Sequence, residues 1–386
     1  MPVGTLKNHL YSAALPVLGK RCCWKHLQGE KNGSAVEEIL KRHHVVGAVI
    51  QTIHEGKLSE SYVAGNARLS PRCIPVQKNT FFRTASVAKL AAALLVFRLQ
   101  TLGRLRTEED ISDFLGYRVR NPKYPQTAIT LGMLLSHRSS ILDSASYFAG
   151  FASGLDLAVL LAKEDTFASW EPGMGFCYSN LAAGMVGCLL EMRFGQSMEA
   201  LAQEYLFRPL EAAATFDIRA LESREVADSY RVLPSRKAPS FSAGERHKNA
   251  RAVEEPNPAR HYLLASGNLF ATGEGMAKLL LAAMGKAPGG GVFLSEESFL
   301  QMRNPLGEWP EKEVHMRHGM GLLVLQEDGI SKRTRYGHQG FAYGAVNGCF
   351  FDACGEGFVC LNSGASEARV GHLSLLNRDL IRLFLP

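Results

Sequence analysis

Residues 84–103 read TASVAKLAAALLVFRLQTLG, a run rich in alanine and leucine with no glycine or proline inside it and a glycine to close it. That composition predicts a helix, and the absence of a polar face predicts a buried one. On its N-terminal side the pattern differs. Residues 35–44, AVEEILKRHH, predict a helix, and VVGAVIQTI, an EGK turn and SESYVAGNA predict a strand, a tight connection and a second strand. On its C-terminal side LGMLLSHR, LDLAVLLAKE, LAAGMVGCLLEMRF, MEALAQEYLF and GMAKLLLAAM all repeat at three to four residues, so the middle of the chain is helical.

Past the KAPGGG punctuation at 286–291 the pattern returns to short strands, HGMGLLVLQ, TRYGHQG, GAVNGCFFD and GFVCLNSGA, and the chain closes with a helix, ARVGHLSLLNRDLIRLFL. The fold class expected is α/β (α+β): an antiparallel sheet flanked by N- and C-terminal helices, built from residues 1–83 and 292–386, with an all-helical domain, 84–291, inserted. Within the insertion, residues 234–260 include RKAPSFSAGERHKNARAVEEPNPAR, which lacks an apolar period and is expected to be a surface loop.

At 386 residues with 46% apolar side chains, the chain can fill a large core or two domains. Its 43 Lys plus Arg against 37 Asp plus Glu give only +6, without a dense basic run, so neither nucleic acid nor a membrane surface is the expected partner. The early apolar run LYSAALPVLG is too short to span a bilayer and leads into KRCCWKH, not a small-residue cleavage site, so the expectation is a cytoplasmic protein without a membrane anchor. The eight cysteines, at 22, 23, 73, 177, 188, 349, 354 and 360, form no CxxC pair and no zinc-finger spacing with histidine. No metal and no cofactor are expected.

Ser86 and Lys89 stand three apart at the start of the secure helix, on one face and within hydrogen-bonding reach. A serine hydroxyl needs an adjacent base to become a nucleophile, and a lysine desolvated among apolar neighbours can supply one. The helix start adds unpaired backbone N–H groups. Alone, this spacing is matched by many helices capped by serine. Two further groups change its weight. FCYSNLAAG puts Tyr178, Ser179 and Asn180 at the beginning of another helix, and TRYGHQGFAYG puts His338, Gln339 and Gly340 in a late strand, where a glycine lets a ligand approach the backbone. Taken singly, the tyrosine reads equally as packing and the histidine as a strand end.

The ordered set resembles the serine β-lactamase and penicillin-binding superfamily, nearest to the class C β-lactamases and the related esterases and D-amino-acid peptidases. The likeness runs from about Val45 to the C-terminus and includes NTFFRTASVAKL, ITLGMLLSHRSSIL, WEPGMGFCYSN, LFRPLEAAATF, ASGNLFATGEGMAKLL and HGMGLLVL. The resemblance implies a β-lactamase/transpeptidase-like fold with the site between its two parts. It implies that Ser86 is acylated, that Lys89 assists its deprotonation, that Tyr178 acts as general base and then as acid, and that Asn180 contacts the substrate. His338, Gln339 and Gly340 would line the opposite wall, and the backbone N–H groups of Ser86 and Phe341 would form the oxyanion hole. Which of Lys89 and Tyr178 is the resting base stays open.

Two departures bear on substrate. The third motif is His-Gln-Gly where β-lactamases and D,D-peptidases carry Lys-Thr-Gly or a close variant, and a neutral histidine brings less charge. Cleavage of a small ester, amide or short peptide is therefore expected ahead of β-lactamase or D,D-carboxypeptidase activity. Acyl transfer from the same acyl-enzyme and a catalytically silent binding homologue are the alternatives. The second departure is His137-Arg138-Ser139-Ser140, where relatives tend to have His-Thr-Ser-Gly, and it is expected to alter a loop. Phe341, Tyr343, Tyr147 and Phe148 offer an aromatic pocket or ordinary packing. No Gly-x-Ser-x-Gly and no HExxH occur in the chain.

Overall fold

The computed structural model describes residues 31–232, 237–248, 262–288, 291–309, 314–326 and 333–386. Sixteen strands are named in chain order. They are β1 (Gly47–His54), β2 (Lys57–Arg68), β3 (Ile74–Pro75), β4 (Phe82–Arg83), β5 (Ala214–Thr215), β6 (Ser229–Val232), β7 (Lys237–Phe241), β8 (Phe270–Ala271), β9 (Gly307–Glu308), β10 (Met316–His318), β11 (Leu323–Leu325), β12 (Arg335–Ala342), β13 (Ala345–Asp352), β14 (Gly357–Asn362), β15 (Arg369–Val370) and β16 (Leu373–Ser374). Nine of them make one sheet in the order β3-β2-β1-β14-β13-β12-β11-β10-β9, and every pairing in it is antiparallel. Residues 47–75 thus meet residues 307–362 at the β1–β14 seam, and the helices between them in sequence lie outside the sheet.

Side-chain alternation explains why the central strands are apolar throughout. Val49 and Ile53 of β1, Cys349 and Phe351 of β13, and Val359 and Leu361 of β14 face a large core shared with the inserted helices. Ala48 and Ile50, Val346 and Phe350, and Phe358 and Cys360 face a second core under the helices Gly33–Arg42 and Leu375–Phe384. With both faces covered, neither set can be polar. The helix Ala88–Thr101 is buried around nearly its whole circumference, as its composition predicts, and so is Asn180–Phe194. In the latter, Gly184 is required by contact: a Cβ there would sit 1.7 Å from the Tyr262 carbonyl oxygen.

The sequence reading needs four corrections. Part of the expected loop at 234–260 is ordered structure: β7 pairs with β6, and Ala243–Lys248 is helical, with the Ala243 N–H donating to Asp228 at 2.8 Å. The remainder of that segment lies outside the described residues. The apolar side chains that β6 buries are Tyr230 and Val232, too narrow a face to show as a period. HGMGLLVLQ is not one strand: it holds the last residue of β10, a turn and β11, which pairs back onto β10. A helix at Glu296–Arg303, capped by Ser295, escaped the strand reading of the region after 291. The C-terminal helix begins only at Leu375, because Ser374 caps it and β15 and β16 form a small hairpin before it.

Gly184→Ala is expected to destabilise the fold by roughly 1–3 kcal/mol, the usual range for overpacking a filled interior. Chemical denaturation of the variant against the parent measures it, and an unchanged midpoint would contradict the contact.

Candidate active site

Ser86 lies in a single 3₁₀ turn, Ala85–Val87, between β4 and the helix Ala88–Thr101. Ala85 is held at φ 52°, a left-handed conformation that costs a non-glycine residue of order 1–2 kcal/mol. This strained turn carries Ser86 out of the strand. One helical turn on, Lys89 is 3% exposed, and its Nζ lies 3.1 Å from Ser86 Oγ, 2.9 Å from Asn180 Oδ1 and 2.8 Å from the Ser266 carbonyl oxygen. Burial pushes the Lys89 amine down to about 7, with Asp143 pulling it up and Arg83 pushing it further down.

Tyr178 faces the same hydroxyl. Burial raises its phenol well above the ordinary value, and a hydrogen bond with Ser86 works against that rise. The Lys89 Nζ lies 5.0 Å from the centre of the tyrosine ring. Asn180, the first residue of the helix Asn180–Phe194, is fixed by a residue that the motif reading did not single out. The Asp143 carboxylate accepts from Asn180 N at 3.0 Å, Asn180 Nδ2 at 2.8 Å, Leu181 N at 2.9 Å and Ser179 Oγ at 2.9 Å. A carboxylate at a helix N-terminus is favourably placed for the free N–H groups there.

Behind Tyr178 three histidines are buried. The His137 ring packs 4.3 Å from the Tyr178 ring and 4.6 Å from His318, and His318 lies 6.0 Å from His338. Burial holds His318 down to about 4 and the other two well below the usual histidine value, so all three are neutral at physiological pH. His137 Nδ1 accepts the Ser179 N–H at 3.2 Å. His137 thus braces the tyrosine from behind. Ser140 keeps a left-handed φ of 62° where the relatives' glycine would stand, and its hydroxyl is held by Asn121 at 3.1 Å.

On the opposite side β12 runs past the nucleophile. Gly340 is packed so closely that a Cβ would lie 2.6 Å from the Thr84 carbonyl oxygen and 2.8 Å from Ser86 N. The β12–β13 turn at Tyr343 and Gly344 has positive φ at both residues, which makes Ala342–Ala345 and Gly340–Asn347 the hydrogen-bonded pairs and leaves Phe341–Val346 unbonded. Because β11 pairs with β12 only as far as Gly337, the Phe341 N–H points from an open edge. His338 Nδ1 donates to the Gln339 carbonyl at 2.7 Å, and its buried Nε2 has no hydrogen-bond partner among the described residues.

A cavity of about 340 Å³ is lined by Ser86, Tyr178, Asn180, His338, Gln339 and Phe341, together with Trp309, Met316, Leu323, Arg369 and His372. Gln339 lines this cavity while its side chain bonds elsewhere. Its amide donates to the His372 carbonyl at 2.6 Å and accepts from Ser374 N at 3.1 Å and Asn377 Nδ2 at 3.3 Å, so it is spent on the C-terminal segment. Of the four aromatics read as a pocket, Phe341 borders the cavity, while Tyr147 is buried in the large core and Phe148 is 60% exposed. Tyr343 lies under the Arg83 guanidinium. Trp309 and His372 supply the remaining aromatic wall, 5.4 Å apart.

A family model described as Beta-lactamase matches residues 33–366. The chain belongs to that family. Similar curated proteins include "Penicillin-binding protein 4" of Amycolatopsis lactamdurans, 29% identical over 169 residues covering 44% of each chain, and "Esterase EstB" of Burkholderia gladioli, 29% identical over 189 residues covering 45% of this chain and 47% of the esterase. The matches span less than half the length of these relatives. A D-amino acid amidase from Ochrobactrum anthropi SV3 superposes with a TM-score of 0.67 at 19% identity, covering 92% of this chain and 98% of the amidase. The fold is that of the β-lactamases, and the family is one of hydrolases with esterase, amidase and penicillin-binding relatives. No helix among the described residues is long and apolar enough to cross a membrane.

Gly340→Ala must push β12 away from Ser86, so its acylation should slow by about 10²-fold, the loss typical of one displaced oxyanion donor. Stopped-flow labelling of Ser86 together with an unchanged circular dichroism spectrum checks it.

Proposed function

We propose that this protein is a serine hydrolase that cleaves a small ester or amide through an acyl-Ser86 intermediate, with neutral Lys89 as the resting base. The observation that carries this reading is the set of partners around Lys89. A neutral amine has two N–H bonds and one lone pair. Two of its three neighbours, Asn180 Oδ1 and the Ser266 carbonyl, can only accept, so both N–H bonds go to them. The lone pair is left for the third, the Ser86 hydroxyl. A tyrosine whose phenol is raised by burial makes a poor resting phenolate and a good proton carrier.

The reaction then proceeds as follows. Lys89 takes the Oγ proton as Oγ bonds to the substrate carbonyl carbon, and the oxyanion that forms is met by the N–H groups of Ser86 and Phe341. The bond to the leaving alcohol or amine breaks, Tyr178 gives that group its proton, and the Lys89 ammonium restores the phenol. Water repeats the sequence on the acyl-enzyme and releases the acid. Asn180 and His338 contact the substrate from either wall. In this reading residues 1–83 and 292–386 form a sheet domain and 84–291 an inserted one, and the free thiols of Cys73, Cys177, Cys349, Cys354 and Cys360 fit a reducing, cytoplasmic setting.

A fluorophosphonate should label Ser86 rapidly and should fail to label Ser86→Ala; a folded parent that resists labelling would sink the proposal. Because only the neutral amine can accept the proton, the labelling rate should rise with pH through a midpoint near 7, where Lys89 loses its proton, and reach a plateau above it. A rate with no inflection near 7 that rises only well above pH 10 would instead assign the resting base to the tyrosine. Product analysis with p-nitrophenyl esters and D-amino-acid amides, with and without an acceptor alcohol, separates hydrolysis from transfer.

A further inference from the structure

Arg83 ends β4, three residues before Ser86. Its Nε and Nη2 donate to Asn268 Oδ1 at 3.3 and 2.8 Å, and its flat face lies 4.9 Å from the centre of the Tyr343 ring. Its own carbonyl accepts from Asn347 Nδ2 of β13 at 3.0 Å. Among the described residues no carboxylate pairs with this guanidinium, and Nη1 is buried without a partner. Arg246, the other charged neighbour, carries the same sign. Asn268 follows Ser266, whose carbonyl holds the Lys89 amine, by two residues. The guanidinium is therefore wedged between the turn that carries the nucleophile and the turn that holds its base.

We propose that Arg83 is a positioning residue for Lys89: clamped by the neutral Asn268, it keeps an uncancelled positive charge beside the base and so favours the uncharged amine. This rests on the reading of Lys89 as the base. An aspartate at 268 would give the same two hydrogen bonds and cancel the charge; the asparagine gives the geometry without the cancellation. The other groups facing Lys89 do not do this work. Asp143 favours the ammonium, Tyr178 is an un-ionised phenol, and His137, His318 and His338 are neutral. Burial acts in the same direction as Arg83 and is the larger influence, with Arg83 adding to it.

The test is the pH dependence of Ser86 labelling by an uncharged fluorophosphonate in Arg83→Gln, Arg83→Lys and Asn268→Asp. In Arg83→Gln and Asn268→Asp the midpoint should move up by about one unit, which lowers the rate at pH 7 about fivefold and leaves the plateau at high pH reachable. Arg83→Lys keeps the charge and should keep the midpoint, even if its weaker clamp lowers the plateau. A purely structural arginine would lower the rate at every pH and leave the midpoint in place, and that outcome overturns the proposal while sparing Lys89 as the base. Asn268→Asp strengthens the clamp, so it decides the matter if Arg83→Gln does not fold. A parent protein with no midpoint near 7 removes the base itself, and this proposal with it.

Discussion

An amine on the inner side of a helix buried around nearly its whole circumference, with no carboxylate of the described residues in hydrogen-bonding reach, is the constraint around which the site is organised. Desolvation of an unpaired ammonium is costly enough that the group gives up its proton instead. Lys89 can stay at 3% exposure only because three oxygens, from Ser86, Asn180 and Ser266, meet its nitrogen. Each oxygen comes from a different element, so the amine also fixes the mutual placement of the helix Ala88–Thr101, the helix Asn180–Phe194 and the turn Leu264–Gly267.

Each of these elements is held from behind by a polar group of its own. Asp143 gathers the N–H groups at the start of the Asn180 helix, His137 takes the N–H of Ser179, and Asn268 is tied to Arg83. The result is a layer of neutral or fully bonded groups around one titrating nitrogen. The three buried histidines belong to this layer. Uncharged, they fill space beside Tyr178 without adding a cation that would stabilise its phenolate.

Much of this was legible in the sequence because the signals were local. The Ser-x-x-Lys pair, the Tyr-x-Asn at a helix start and the strand glycine each declare themselves within a few residues, and the apolar strands follow from a sheet covered on both faces. What stayed hidden is contact between distant segments. Asp143 lies just past the SHRSSIL stretch and looks like any loop acid until Asn180 is placed beside it. Gln339 occupies a motif position, yet β-strand alternation turns its amide toward the C-terminal segment. His318 reads as a strand residue in HGMGLLVLQ, and only the β10–β11 hairpin brings it to Tyr178. Trp309, Arg369 and His372 reach the cavity from segments with no motif at all.

The C-terminal segment also grips the catalytic strand at two points. Arg335, at the start of β12, is fully buried and donates to the Leu385 carbonyl through Nε at 2.9 Å and Nη2 at 2.7 Å, while Gln339 is clasped by residues 372–377. The strand that runs past Ser86 is thus anchored to residues 372–385, which no sequence signal links to the site. Displacing Leu385 or His372 would therefore loosen β12 beside Ser86, so the wall that carries His338 and Gly340 depends on a segment with no motif of its own.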